Sequence, residues 1–166
     1  FYTKACDLKS GHGCSNLGWM YDNGEGIKKD LGKAKKYFTK ACNLNEGSGC
    51  EYLGFIHKYG MGVKKDPFKA VSFYTKGCDS EYGKSCYSLG WMYDKGRRVT
   101  KDPFKAVSFY TKGCDLEYGA SCYELGVMYQ DGTGVRKDKE KAKEYFGKAC
   151  DLKYNRGCKM YAELVD

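Results

Sequence analysis

Phe68-Lys69-Ala70-Val71-Ser72-Phe73-Tyr74-Thr75-Lys76-Gly77-Cys78-Asp79 recurs without a change at Phe104 to Asp115, an offset of 36 residues. The same offset relates all ten cysteines: Cys6 and Cys14, Cys42 and Cys50, Cys78 and Cys86, Cys114 and Cys122, and Cys150 and Cys158 form five C-x7-C pairs with no insertion between them. Self-similarity at a fixed period of this length is the mark of a repeat array, in which each supersecondary unit is too small to bury a core alone and does so by stacking on its neighbours.

Counted from the second cysteine of each pair, complete repeats run 14–49, 50–85, 86–121 and 122–157, flanked by a partial helix B over 1–13 and a terminal helix over 158–166, all within one domain, 1–166. Phe1-Tyr2-Thr3-Lys4-Ala5-Cys6 matches Tyr37 to Cys42, so the chain is expected to begin inside a helix, with any secretory signal upstream. In helix A of the first repeat, Cys14, Leu17, Gly18 and Tyr21 fall at i, i+3, i+4 and i+7, one stripe of a helix. Gly18, Gly54, Gly90 and Gly126 recur on that stripe although a helix-interior glycine costs about 1 kcal/mol. They are expected to mark a close approach of backbones, meeting the small residues Ala41, Gly77, Gly113 and Ala149 near the end of helix B.

A loop follows in which Ile27, Val63, Val99 and Val135 are expected to tuck one apolar side chain under the turn. Asp30, Asp66, Asp102 and Asp138 then read as helix B N-caps, with Pro67 and Pro103 at the first helical position, where a missing N–H costs nothing. Ala34, Tyr37, Phe38 and Ala41 give helix B its packing face. The expected fold is all-α: an α/α superhelix, or solenoid, of 36-residue helix-turn-helix repeats.

Between the paired cysteines lies a turn-rich stretch such as Asn43-Leu44-Asn45-Glu46-Gly47-Ser48-Gly49. Gly47, Gly83 and Gly119, with Asn155 in the same place later, are read as positive-φ C-caps. One cysteine then ends a helix and its mate opens the next, close enough for a disulfide, which requires Cα atoms within about 4.4–6.8 Å. Zinc is the competing use of cysteine, but zinc sites favour C-x2–4-C spacing with histidine partners. The chain has only two histidines, His12 and His57, in non-equivalent positions. The pairing expected is 6–14, 42–50, 78–86, 114–122 and 150–158, with neither metal nor cofactor. Each closed loop would stabilise by about 2–3 kcal/mol in the chain-entropy picture. Five bridges imply an oxidising compartment, secreted or periplasmic.

The formal net charge is +8, but its lysines return at one place per repeat, as in Lys28-Lys29 and Lys64-Lys65, and alternate with Asp and Glu. A diffuse basic surface favours solubility without specifying a partner, and nucleic-acid binding fits poorly with an oxidised compartment. No apolar run approaches the roughly 18 residues of a membrane span.

Leu89-Gly90, Tyr93, Gly96, Val99, Asp102, Lys105-Ala106 and Lys112 resemble the pattern of Sel1-like repeats. The added C-x7-C pair in every repeat resembles the Helicobacter cysteine-rich protein family, over essentially the whole chain. That resemblance implies a secreted protein, with penicillin binding, weak β-lactam hydrolysis or action on host immune cells as associated activities. Arg97-Arg98 departs from the pattern in the loop of the unit that starts at Cys86, and Ala162 replaces the glycine in the last helix.

The catalytic chemistry those activities require is not visible in the sequence. No serine has a lysine three residues on, there is no Lys-Thr-Gly, and two lone histidines make no metal cluster. His57 stands where other repeats have Tyr21, Tyr93 and Tyr129, a packing substitution; His12 stands in an interhelical turn, a solvated position.

The remaining signal is the changeable face of helix A opposite the packing stripe. Asn16, Trp19, Asp22 and Asn23 lie there in the first repeat, Tyr52, Phe55 and Tyr59 in the second, Tyr87, Trp91 and Asp94 in the third, and Tyr123 and Gln130 in the fourth. In stacked repeats helix A usually lines the concave groove that receives peptides or protein segments. Trp19, Phe55 and Trp91 would form an aromatic stripe that anchors a partner or, on the other reading, packs against the adjacent repeat. The function expected is a binding scaffold for a host or envelope protein or peptide. The alternative is weak penicillin-binding or β-lactamase-type hydrolysis, which rests on the resemblance alone, as does a peptidoglycan-related or β-lactam ligand.

Overall fold

The structure, a computed structural model, describes residues 2–97 and 99–165. Among them there are ten helices and no strand. In chain order they are α1 (Tyr2–Asp7), α2 (Gly11–Asn23), α3 (Leu31–Asn43), α4 (Gly47–Tyr59), α5 (Pro67–Asp79), α6 (Gly83–Lys95), α7 (Pro103–Asp115), α8 (Gly119–Asp131), α9 (Lys139–Asp151) and α10 (Asn155–Glu163). The all-α expectation and its 36-residue period hold: the even-numbered helices are the A helices and the odd-numbered ones the B helices. Two compact units form, Phe1–Ser85 and Cys86–Asp166. The departure at Arg97-Arg98 lies partly outside the described residues, as do Phe1 and Asp166 of the two terminal segments.

Each B helix starts as its sequence dictates. Asp30, Asp66, Asp102 and Asp138 accept the backbone N–H of Lys33, Lys69, Lys105 and Lys141 at 2.9–3.0 Å. This satisfies a donor the helix leaves orphaned. The same aspartates donate their own N–H back to helix A, to the carbonyls of Tyr21, His57, Tyr93 and Tyr129, at 2.9–3.0 Å. The loop is therefore closed at both ends, and Ile27, Val63, Val99 and Val135 are all half-buried beneath it.

The B-to-A turns correct one expectation. Gly47, Gly83 and Gly119 begin the next helix rather than cap the last. The left-handed position falls two residues earlier, on Lys9, Asn45, Glu81, Glu117 and Lys153, with φ of 58–62°. Each turn is a Schellman motif. In the second, Asn45 N donates to Cys42 O at 3.1 Å and Glu46 N to Ala41 O at 3.0 Å, and the other four repeat the two bonds. The cysteine that ends helix B is always the acceptor of the first bond, so the motif itself aims it at the next helix.

Four bridges result within the units: Cys6–Cys14, Cys42–Cys50, Cys114–Cys122 and Cys150–Cys158, with Cα atoms 4.4–4.7 Å apart. Among the described residues no cysteine is free.

The helix A glycines also do something other than expected. Gly18, Gly54, Gly90 and Gly126 do not meet small residues; each lies flat against a buried ring of helix B, namely Phe38, Tyr74, Tyr110 and Phe146. A methyl group at Gly54 would lie 2.5 Å from the Tyr74 ring, and one at Gly126 2.6 Å from Phe146. The small residues at the end of helix B meet the first turn of the following helix instead: a methyl group at Gly49 would lie 2.7 Å from Ala41 Cβ, and one at Gly157 2.5 Å from Ala149 Cβ. This is the close approach that the adjacent disulfides tie.

Candidate functional site

The repeat builds an aromatic stack on one flank of helix A. Tyr21 on Tyr37, Tyr93 on Phe109 and Tyr129 on Tyr145 lie nearly parallel with centroids 5.5–5.7 Å apart. Lys33, Lys105 and Lys141 place an ammonium 5.2 Å from the first ring of each pair. His57 takes this place in the second repeat, 9% exposed and stacked on Phe73 at 5.5 Å. Burial and the nearby Lys69 and Lys35 push its pKa below the usual histidine range. Its environment is that of a packing ring kept neutral, as its sequence position implied.

Among the described residues no group of three or more His, Cys, Asp or Glu could hold a metal ion, and no helix is long and apolar enough to cross a membrane.

The opposite face of helix A behaves differently in its two halves. In the second unit the changeable positions are filled by packing. Tyr87 lies against Tyr110 and Tyr118, and Tyr123 against Phe146 and Tyr154, all at 5.4–5.8 Å. Burial beside Glu124 pushes the Tyr87 phenol up to about 12. Trp91 is half-buried against the same core, with the Arg97 guanidinium 5.5 Å from its ring. Asp94 and Gln130 are half-buried. A cleft of about 510 Å³ on the other side of this unit, between Tyr129 and Lys137, is open and lined largely by charged groups.

In the first unit the same face opens a pocket of about 220 Å³. Trp19 and Phe55, each 39% exposed, stand at its sides together with Met61 and Tyr82. The Trp19 indole is held edge-on by Phe38 at 5.0 Å and by Tyr52 at 5.5 Å. It therefore packs on the next repeat, as one reading of the aromatic stripe has it, and leaves part of its surface exposed.

The polar groups of the pocket are Asp22, Glu51, Ser48 and Lys84. Tyr52 is buried, and its hydroxyl donates to Asp22 Oδ1 at 2.8 Å, which fixes that carboxylate in place. Burial, then the Asp22 carboxylate, raises the Tyr52 phenol well above its ordinary value, so it remains a donor. Glu51 is only 7% exposed, and its Oε2 accepts the Ser85 hydroxyl at 2.8 Å. Ser48 donates to Glu46 Oε1 at 2.9 Å and pairs with Ser15 Oγ at 2.7 Å. Lys84 is exposed.

The structure thus brings Trp19, Asp22, Tyr52 and Phe55 together. Asn16 is half-buried on α2; Asn23 is the last residue of α2 and Tyr59 the last of α4, Asn23 bonded to Glu25 Oε1 at 3.4 Å and Tyr59 against Phe55 at 4.7 Å. Glu51, Ser48, Met61, Tyr82 and Lys84 were not among the sequence-derived site residues. One signal for them was available. Tyr82, Tyr118 and Tyr154 recur at the residue before helix A, and the partner position reads Glu51, Tyr87 and Tyr123. Where the partner is Tyr the two rings pack; where it is Glu51 the second ring is missing, and the space it would fill is the pocket.

Comparison with known proteins gives a consistent family assignment. The Sel1 repeat model matches residues 11–46, 47–82, 83–118 and 119–154. The chain is 35% identical to the solved Helicobacter pylori cysteine rich protein B, with a TM-score of 0.64, covering 82% of this chain and 98% of that one. The solved Sel1 repeat protein from Oxalobacter formigenes is 31% identical with a TM-score of 0.85; the match takes in 90% of this chain and 61% of that one. A protein named Beta-lactamase HcpA from Helicobacter pylori is 50% identical over 36 residues, one repeat's length, which is 22% of this chain and 14% of the relative.

Proposed function

We propose that this chain, which belongs to the Sel1 repeat family and to its cysteine-rich group, is a binding scaffold of an oxidising compartment, secreted or periplasmic. It holds a protein or peptide segment on the A-helix face, with the first-unit pocket as the anchor point. The observation that carries this reading is the pair Trp19 and Phe55, each 39% exposed beside a cavity on the face where the repeats differ most. Aromatic side chains around a recess supply most of the binding energy at interfaces of this kind. At the equivalent positions the second unit has Trp91, half-buried against its core, and Val127, also half-buried.

The β-lactamase name of one relative supports the alternative only weakly, since that match is one repeat long. Ser48, the serine lining the pocket, donates to the Glu46 carboxylate and pairs with Ser15 Oγ, and no Ser-x-x-Lys arrangement surrounds it. The test begins with capture and identification of a partner from envelope or host extract. The isolated partner is then titrated calorimetrically into wild type, Trp19→Ala and Phe55→Ala. A loss of affinity on the order of tenfold or more, in variants whose helical circular dichroism shows them folded, is expected; unchanged affinity sinks the reading. A β-lactam turnover assay with a covalent-adduct mass measurement runs beside it, and stoichiometric acylation would install the hydrolase reading instead.

A further inference from the structure

We propose that the first-unit pocket is a socket for one long cationic side chain of the bound segment, with an arginine guanidinium as the best fit. The inference rests on the scaffold reading above and specifies the chemistry of the residue that enters.

Size sets the first limit. A cavity of about 220 Å³ is below the roughly 300–1,000 Å³ of sites that enclose a whole small molecule. It suits a single side chain, as anchor pockets at interfaces do. The lining sets the second. Trp19, Tyr52, Phe55 and Tyr82 present ring surface and Met61 adds apolar surface, which favours a side chain with a hydrocarbon stem. Aromatic faces also attract a cation through their quadrupole.

Charge decides the sign. Within a chain of formal charge +8, this recess is lined by two carboxylates, Asp22 and Glu51, against one ammonium, Lys84. Lys84 is exposed and so screened by water, whereas Glu51 is 93% buried, where a cation brought against a carboxyl group is screened less. Both carboxylates are held before any ligand arrives, Asp22 by the Tyr52 hydroxyl and Glu51 by Ser85. A guanidinium can lie against a ring and fork its donors onto a carboxylate, which an ammonium cannot do.

The sequence shows that the socket is a local departure from the repeat. At the positions equivalent to Glu51 the second unit has Tyr87 and Tyr123, whose rings pack on Tyr118 and Tyr154. One substitution in the repeat therefore both opens the recess and charges it.

The experiment uses Trp91→Phe as background, leaving Trp19 as the only tryptophan. Its fluorescence is followed on titration with acetyl-arginine amide, acetyl-citrulline amide and acetyl-norleucine amide. A saturable change is expected with the arginine probe alone, weakened about tenfold by Asp22→Asn and abolished by Glu51→Tyr, which restores the packed ring of the second unit. Should Glu51→Tyr fail to fold, Glu51→Gln takes its place and is expected to weaken the response in the same way. The inference is overturned by no saturable response to the arginine probe, by an equal response to citrulline, or by a response retained in the folded Glu51 variant. A partner that binds wild type and is lost on Trp19→Ala, beside a silent arginine probe, would leave the scaffold standing and remove the socket.

Discussion

Gly77 and Ser85 make the same contact as Ala41 and Gly49, with the side-chain volume moved from one helix to the other. A methyl group on Gly77 would overlap Ser85 Oγ, just as one on Gly49 would lie 2.7 Å from Ala41 Cβ. The sequence keeps the sum small at every such point: Ala5 with Gly13, Gly113 with Ser121, Ala149 with Gly157. Moving the volume onto Ser85 has a consequence outside packing, because the hydroxyl it introduces holds the Glu51 carboxylate of the pocket.

This contact predicts a compensating pair. Gly49→Ser overpacks the α3–α4 junction and is expected to cost about 1–3 kcal/mol. Ala41→Gly added to it reproduces the Gly77–Ser85 arrangement and is expected to recover at least half of the loss. Urea denaturation of the two single variants and the double variant measures the coupling; additive losses would show that the two residues do not share the space.

Ser85 and Ser121 predict opposite responses to one substitution. Both are fully buried, but Ser85 has the Glu51 acceptor while Ser121 Oγ has no hydrogen-bond partner among the described residues. Tyr87, at the place of Glu51, offers no carboxylate. Ser85→Ala therefore leaves a buried carboxylate short of a donor and is expected to lose about 1–3 kcal/mol, whereas Ser121→Ala removes an unsatisfied hydroxyl and is expected to hold or gain stability. Paired thermal melts decide it.

The glycines of α4 and α9 make a third contrast. Gly54→Ala drives a methyl group into the Tyr74 ring, itself 1% exposed and unable to yield. A net loss on the order of 1–2 kcal/mol is expected, after the helix-propensity gain is subtracted. Gly147 stands where the other repeats have Thr39, Thr75 and Thr111. Gly147→Ala is expected to gain up to about 1 kcal/mol. Equal effects of the two substitutions in urea melts would contradict the ring-platform role of Gly54.

His57 predicts a pH dependence. Its pKa in the fold lies below the ordinary value because burial, Lys69 and Lys35 oppose the charge. Between the lowered pKa and the unfolded value of about 6.5, the unfolded chain binds more protons, so the contribution is complete above about pH 6.5 and is lost as the pH falls below it. His57→Tyr restores the ring found in the other repeats and is expected to flatten the stability profile between about pH 7 and pH 5. An identical profile in the variant would remove His57 as the cause.

What the sequence disclosed divides along one physical line. Features that repeat by chemistry alone were legible: the aspartate caps, the cysteine spacing, the half-buried Val63 and its equivalents, and His57 as a ring in the place of Tyr. Features that depend on backbone shape were misplaced. Glycine is the residue that enters the left-handed region most easily, so Gly47 looked like the cap, but the hydrogen-bond ring closes two residues sooner, on Asn45, Glu81 and Glu117. A recurring Gly18 likewise says that something is close without saying what; the occupant is the Phe38 ring, twenty residues on. The pocket was half legible. Trp19, Asp22, Tyr52 and Phe55 follow from the helix face, whereas Tyr82 and Met61 reach it from turns, whose direction no helical period conveys.

The four bridges described within the units all join cysteines eight residues apart. For each of them the correct partner is the next cysteine to emerge from a ribosome or a translocation channel. A chain entering an oxidising compartment amino end first can seal each pair as it appears, before any later thiol is present to compete. Mispairing is then avoided by order of arrival, and lengthening the array by another unit adds a pair without adding a choice.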